Sequence, residues 1–399
     1  MENESPVVVI GAGSTGSSTA YHLAKKGQRT VLIDRGQIAS GMTSRSTALV
    51  RTHYSNEIVA RMALYSLRVF ENFSSIGNAG FVRNGMLILG TGEDKEALDA
   101  NVKMLDSIGV KNEVMDKENA KKRFPDLFLE DCDYFLFEPE SGYADPVGTA
   151  VSYTNKAREL GAEVILGREV SRLEAENGKL IAVILDDGSK IRCSKVILCS
   201  NIWTNKLLSS SGVPDDLLLP IWTVAHPVVI SRRPASYSGL KPNIADFLTK
   251  TYCKPEGQSL LFIGSLDAEL DSQKVDPDRA PNEVPFEFMN LFSEVLTKRI
   301  PSMSEGIYHS NYIGLYDMSP DQHPIMDELS ELGLGGVYCC VGLSGHGFKL
   351  CPALGAMNSD MILGVEKSIQ TFERSFFSLN RFKKGNLLMT RYARIGTVA

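Results

Sequence analysis

Few short stretches constrain a fold as tightly as a glycine-rich turn set between a buried strand and a helix. Residues 6–34 of this chain read PVVVIGAGSTGSSTAYHLAKKGQRTVLID. Val7 to Ile10 form the continuous apolar run of a strand buried on both faces. Ala20, Leu23 and Ala24 then recur at helical spacing, Gly27 ends the helix, and TVLID supplies a second strand. Gly11, Gly13 and Gly16 spell G-x-G-x-x-G between the first strand and the helix, the context that gives this short motif its meaning. The first glycine permits the tight turn, the second lets backbone approach a pyrophosphate, and the third brings helix against strand. Amides at the helix start then face phosphate oxygens. Asp34, eighteen residues after Gly16, ends the second strand where an acid accepts hydrogen bonds from a ribose hydroxyl. An acid there favours an unphosphorylated ribose, so NAD or FAD and not NADP; the motif leaves those two open.

The same grammar returns twice. Residues 151–203 give a helix through about Leu160, a strand at Glu163 to Leu166, short alternating strands with turns at ENGK and DDGS, and the apolar strand KVILCS. GGVYCCVGLSGHGFKL is a strand running into a glycine turn and a helix. Three separated segments of this character imply one sheet assembled from distant parts of the chain. The stretches between them, with alternating strands such as GMLILGTG and HPVVISRR, read as a second domain inserted twice. The expected fold is therefore α/β plus α+β. A discontinuous Rossmann-type domain is drawn from residues 1–82, 146–215 and 313–375. A mixed-sheet substrate domain is drawn from 83–145 and 216–312. A basic tail, 376–399, is expected to lie over the surface.

The 399 residues are ample for two interleaved domains, and the formal net charge of −6 argues against a nucleic-acid partner. Seven cysteines, an odd number with no C-x-x-C pair, do not form a disulfide framework; Cys339 and Cys340, inside an apolar run, read as buried thiols. The acidic opening runs at once into a strand, so neither a signal peptide nor a membrane span is expected, and a reducing cytoplasm is the expected home.

Two loops carry candidate chemistry. SGMTSRSTALVRTHYSN, residues 40–56, sets the hydroxyls Thr43, Ser44, Ser46 and Thr47 around Arg45, with Arg51 beyond. Such a loop can wrap a pyrophosphate, although a solvated polar loop has the same composition. GLSGHGFKL, residues 342–350, crowds His346 and Lys349 among three glycines, where a snorkelling lysine and a helix-capping histidine are the plainer readings.

ASGMTSRSTALVR following the glycine turn and Asp34 resembles the FAD-binding opening of the D-amino acid oxidase and sarcosine oxidase superfamily. The similarity continues in order through SGYADPVG (141–148), VILCSNIW (196–203), GLYDMSPDQHPIMD (314–327) and GLSGHGFKL (342–350). It looks closest to the β-subunit of heterotetrameric sarcosine oxidase and related dehydrogenases. The resemblance implies a Rossmann-type flavin domain beside a substrate domain with a large mixed sheet. It also implies FAD held by Gly11, Gly13, Ser14, Thr15, Gly16, Asp34, Arg35, Thr43, Ser44, Arg45, Ser46, Thr47, Leu49, Val170, Trp203, Gly314, Gly345, His346, Gly347, Phe348 and Lys349. The implied reaction oxidises a small amino acid at the carbon next to nitrogen. Arg51 and Lys349 clamp the substrate carboxylate, and His346 and Tyr316 join them at the reaction site. Met318 and His323 lie nearby, His323 as a turn-stabilising residue. Reduction of a flavin leaves negative charge on its pyrimidine side, so a helix start and a cation there raise its potential.

Three departures from the family pattern carry consequences. Gly314 stands where some relatives tether FAD through a cysteine, which implies a non-covalent flavin. Phe262, in LLFIGSLD, stands where oxidases place a lysine that promotes reaction with oxygen, which implies an electron carrier or partner subunit as acceptor. Asn201 stands where relatives usually have glycine. Oxidation of a 2-hydroxy acid or glycerol phosphate, and a non-catalytic flavin subunit, are the alternatives.

Overall fold

The strand Val7–Ile10, the helix Ser14–Lys25 and the strand Thr30–Asp34 form where the apolar pattern places them. They belong to a computed structural model that describes residues 5–237, 239, 241–267, 269, 273–365, 373–388 and 390. A six-stranded sheet runs in the order Ile325–Glu328, Val337–Val341, Lys195–Leu198, Val7–Ile10, Thr30–Asp34, Glu163–Leu166. All its pairs are parallel except the first, which is antiparallel. Its strands thus come from three separated stretches of sequence, as the returns of the motif implied.

The helices Ser14–Lys25, Pro146–Glu159 and Gly347–Ile362 pack together with a core of Val9, Leu23, Leu32 and Leu354. Gly355 lets two of them touch: a Cβ there would lie 2.2 Å from Ser18 Oγ. Asn358 Nδ2 then reaches Thr19 Oγ1 at 2.9 Å, which fixes the C-terminal half of the helix Gly347–Ile362 against the helix Ser14–Lys25. A three-stranded antiparallel sheet, Val170–Glu176, Lys179–Leu185 and Lys190–Arg192, joins a separate core with Val8, Ile33 and Val196.

A second, eight-stranded sheet runs Ile307–Met318, Trp222–Arg232, Leu260–Ser265, Thr251–Glu256, Asn243–Asp246, Met86–Gly90, Tyr134–Glu138, Glu113–Met115. It is mixed, with Asn243–Asp246 and Met86–Gly90 as its parallel pair. Leu87, Phe135, Ile263 and Leu315 pack with Phe292 and Leu296 of the helix Phe286–Arg299. Arg299, buried among them, donates through Nε to Asp246 Oδ2 at 2.8 Å and through Nη1 to Asp131 Oδ1 at 2.8 Å. The strand Ile307–Met318 runs across the expected boundary at 312/313 while paired to Trp222–Arg232 along its whole length.

The basic end of the chain differs from expectation. Rather than lying over the surface, Phe377 is fully buried, and Arg381 donates to both oxygens of Asp321, at 2.7 and 2.9 Å, and to the carbonyl of His323 at 3.0 Å. A bidentate pair with both partners buried outlasts the loss of neither one. Arg381→Met is expected to lower stability by about 3 kcal/mol, because it strands a buried carboxylate. A drop in the urea midpoint at unchanged slope checks this. The part of the tail at 391–399 lies outside the described residues. All seven cysteines are free thiols, and among the described residues no helix is long and apolar enough to cross a membrane.

Candidate functional site

The carboxyl ends of the parallel strands, at Ile10, Asp34 and Cys199, open into a cavity of about 550 Å³ whose other walls come from the eight-stranded sheet. Ligands of open α/β sheets settle at such strand ends. One end of the cavity is the glycine turn. Gly11 has φ +106°, and a Cβ there would lie 2.5 Å from the carbonyl oxygen of Cys199. At Gly16 a Cβ would lie 1.8 Å from the carbonyl oxygen of Gly11. Gly16 therefore shapes the turn by packing and does not itself line the cavity, whereas Gly11, Gly13, Ser14 and Thr15 do. The helix behind them has no acidic residue in its first turn and no side-chain cap, leaving its start suited to an anion. Asp34 lines the cavity and braces the turn, accepting from the amides of Ala12 and Gly36 at 2.7 Å each.

The 40–56 loop closes over this end. Thr43 Oγ1 accepts from the Ser14 amide at 3.0 Å, and Arg45 Nη1 donates to the Ile313 carbonyl at 3.0 Å, tying the loop to the eight-stranded sheet. Thr43, Arg45, Ser46, Thr47 and Leu49 line the cavity; Ser44 does not, its hydroxyl donating to the Gly41 carbonyl at 2.9 Å. Arg35 stacks its guanidinium over Trp203, 4.2 Å from the ring centroid, and Trp203 Nε1 donates to Asp278 at 3.0 Å. Val170, Trp203 and Gly314 are also on the wall.

Arg51, Tyr316, Gly345, Gly347, Phe348 and Lys349 share the same cavity. Arg51 is buried, with its guanidinium 4.3 Å from the Tyr54 ring centroid. Lys349, in the first turn of the helix Gly347–Ile362, donates to the Gly345 carbonyl at 3.1 Å. Burial, and then the charge of Arg51, hold the Lys349 ammonium well below its ordinary pKa. An anion between two such groups relieves both costs. Tyr316 stacks on His226 at 4.4 Å, and His226 Nε2 lies 3.1 Å from the Tyr252 hydroxyl, so three rings form a continuous piece of wall beside apolar Met86, Val228, Ala245 and Leu266. Gly345, at φ +79°, brings its turn against this stack: a Cβ there would lie 3.0 Å from the Tyr316 ring.

Two expectations need correction. His346 does not line the cavity and makes no side-chain cap; its ring is buried against Tyr54 and His323, with centroids 5.2 and 6.1 Å away. Position 346 precedes the helix, and the close approach of the turn to Tyr316 leaves the cavity wall to glycine backbone. Phe262 is also absent from the wall; it pairs in register with Lys254, whose ammonium sits 4.3 Å over its ring and bonds to Glu256. His323 is buried in a turn, its carbonyl accepting from Ser319 Oγ at 2.7 Å, and burial lowers its pKa to about 4, so it is neutral.

Asp317 is the wall residue that sequence reasoning passed over, along with His226 and Tyr252. Its carboxyl is fully buried, which raises its pKa to about 7 against the opposing pull of the Leu343 and Gly342 amides and the Asn201 side chain. Its Oδ2 has no hydrogen-bond partner among the described residues. Asn201 adopts φ +51°, the left-handed region that asparagine tolerates and glycine enters freely. A folded-state pKa near 7, above the unfolded value of about 3.9, contributes stability that is complete below about pH 4 and lost as pH rises through 7. Asp317→Asn cannot ionise, so relative to the parent it is expected to gain on the order of 4 kcal/mol between about pH 4 and pH 8. Urea midpoints at those two pH values check it; a constant difference contradicts it.

The features of the cavity suit FAD: two glycines where a Cβ would intrude, an uncapped helix start, an acid at the second strand end, and cationic groups at the far end. Among the described residues no cluster of histidine, cysteine and carboxylate side chains could hold a metal. A family model described as "FAD dependent oxidoreductase" (DAO) matches residues 6–361. Mitochondrial sarcosine dehydrogenase of Mus musculus is 24% identical over 363 residues, covering 86% of this chain and 38% of that protein. A probable sarcosine oxidase of Arabidopsis thaliana is 27% identical over 401 residues, covering 95% of this chain and 94% of that protein. The solved structure of L-proline dehydrogenase from P. horikoshii superimposes with a TM-score of 0.86 at 26% identity, covering 97% of this chain and all of that one. The chain spans 38% of the length of the mitochondrial sarcosine dehydrogenases and 45% of a 4-methylaminobutanoate oxidase of Paenarthrobacter nicotinovorans.

Proposed function

The chain belongs to the DAO family of FAD-dependent oxidoreductases, and on that premise we propose that it oxidises the C–N bond of a small secondary or tertiary amino acid, of the sarcosine, dimethylglycine or proline kind, to an imine or, from a tertiary amine, an iminium ion. FAD bound in the cavity supplies the acceptor for the hydride that leaves the carbon beside nitrogen. The observation that carries the reading is a buried arginine and a buried lysine, Arg51 and Lys349, on one cavity with an aromatic wall, where a bound carboxylate would restore the lysine's proton. Arg51 and Lys349 bind the substrate carboxylate and fix its position, and that positioning supplies much of the rate. Their positive charge also favours the substrate whose amine has lost its proton, the form with an electron pair to release. Tyr316, His226 and Tyr252 with the apolar wall exclude water from the reacting carbon. Water hydrolyses the imine after release.

The flavin is held without a covalent bond. Gly314 offers no nucleophile, and burial keeps the Cys199 thiol protonated beside the glycine turn. Acid precipitation should leave all of the yellow colour in the supernatant. For the acceptor the same reading takes a carrier or partner subunit rather than oxygen: among the described residues the wall lysines are Lys206, paired with Asp278, and Lys349, assigned to the carboxylate, while Lys254 is engaged with Glu256 outside the wall.

The test is anaerobic mixing of the yellow protein with sarcosine, dimethylglycine, proline, D-amino acids, lactate and glycerol phosphate, followed at the flavin band near about 450 nm. Bleaching by one of the first three, and slow return of colour in air, is the expected result. Bleaching by none of the amines overturns the reading, and a fast return in air overturns the acceptor assignment. One observation favours a second reading, oxidation of a 2-hydroxy acid: an alcohol needs a base, and Asp317 is a buried wall carboxyl that titrates at about pH 7. Bleaching by lactate alone selects it.

A further inference from the structure

The segment that carries Arg51 is held from behind by a buried polar chain for which the oxidation itself has no use. Arg51 lies one residue past the short strand Leu49–Val50, and its Nη1 donates to the carbonyl oxygen of His53. The direction of the guanidinium therefore follows the position of the His53 peptide. The His53 ring is buried completely and is gripped from two sides. Its Nε2 lies 3.3 Å from Asn101 Nδ2, on the helix Lys95–Ser107. Its Nδ1 lies 3.6 Å from Glu138 Oε1, at the end of the strand Tyr134–Glu138.

Glu138 in turn fixes the residue between. Its Oε2 accepts from the Thr52 amide at 3.2 Å, the Thr52 hydroxyl at 3.0 Å and the Ser141 hydroxyl at 2.8 Å. Burial pushes the Glu138 carboxyl up, but His53, Ser141 and Thr52 together outweigh it and hold it below the ordinary carboxylate value. Neither Glu138 nor Asn101 is in the cavity wall, and both are buried. A carboxylate, an imidazole and a carboxamide placed together in a core cost more than apolar packing of the same volume would. What they supply is a fixed direction for the peptide on which Arg51 hangs.

We propose that Glu138, His53 and Asn101 are positioning residues for the carboxylate clamp, which set the affinity of Arg51 for the carboxylate of a small ligand. The proposal rests on the amino acid reading above for its ligand, but it concerns binding alone. It is tested without turnover. Holoenzyme, Glu138→Gln and Asn101→Leu are titrated with propanoate and with its uncharged amide, propanamide, and the change in the flavin spectrum gives each Kd. Both substitutions keep side-chain size, and the ratio of flavin to protein absorbance reports whether each variant holds FAD. The expected result is a Kd for propanoate raised about 10-fold in each variant, the scale on which small misplacements of a binding group act, with the Kd for propanamide unchanged. Equal losses for the acid and the amide would mean a brace for the fold alone and overturn the proposal, as would an unchanged propanoate Kd. Should Glu138→Gln lose its flavin, Asn101→Leu decides by the same criterion. A wild-type protein that binds propanoate but is bleached by no amine keeps this proposal and fails the reading of substrate; one that is bleached by an amino acid but binds no propanoate keeps the reading of substrate and fails this proposal.

Discussion

Arg51→Met is expected to lower kcat/KM for the amino acid substrate by about 10³-fold, equivalent to about 4 kcal/mol, with most of the loss in KM. The size follows from burial. Arg51 is 5% exposed, so its charge meets a carboxylate in a medium that screens poorly, and methionine keeps the apolar stem while deleting the fork of donors. A second effect has a definite sign. After burial, the charge of Arg51 is what depresses the pKa of Lys349. Removing it raises that pKa, so in the variant Lys349 stays charged to higher pH and the residual activity extends further into the alkaline range. Steady-state kinetics across pH would show both. A loss confined to kcat with KM intact would mean that Arg51 acts on the bond-breaking step and not on the carboxylate.

The second large effect is steric. Gly16→Ala would set a Cβ 1.8 Å from a backbone carbonyl of the turn, which nothing flexible can relieve. It is expected to cost about 4 kcal/mol or more and to yield protein without flavin. Gly13→Ala separates the two roles of the turn. Its Cβ would meet only the Thr43 hydroxyl, at 2.9 Å, so the fold should survive while phosphate approach is blocked. Gly27→Ala, with open space around its Cβ and a φ of +76°, should cost only about 1 kcal/mol. Melting temperature and bound flavin, measured on all three, order them; a stable Gly16→Ala holding FAD would contradict the packing.

These glycines show why the nucleotide end was legible in the sequence. Gly16 is compelled by a contact inside the motif, with the Gly11 carbonyl, and although Gly11 and Gly13 answer to the more distant Cys199 and Thr43, all three fall at one short spacing; the flanking strands are apolar throughout because helices and sheets cover both faces. The order of the six strands was not legible, since the neighbours of Val7–Ile10 lie as far away as Lys195–Leu198 and register depends on packing across that distance. The substrate end was read in part. Arg51 follows a loop and Lys349 a glycine turn whose compositions are unusual, whereas His226 and Tyr252 sit in strands where a polar or aromatic residue is an ordinary alternation. Asp317 looked like one more polar residue in a turn motif; only burial, invisible in the string, gives it an uncommon titration. His346 misled for the opposite reason, since it precedes the helix that carries Lys349 and its ring packs against Tyr54 and His323 and not on the cavity. Arg381 read as part of a solvated basic tail because its partner, Asp321, is 60 residues away.

The central claim is that one cavity brings a flavin and a carboxylate-bearing amine together through Arg51 and Lys349. Anaerobic stopped-flow reduction of the bound flavin by proline and by pyrrolidine, the same ring without the carboxylate, tests it most directly. Saturable bleaching by proline with little or none by pyrrolidine at equal concentration is the result the account predicts. Equal bleaching by both, or bleaching by neither while another amino acid also fails, would contradict it.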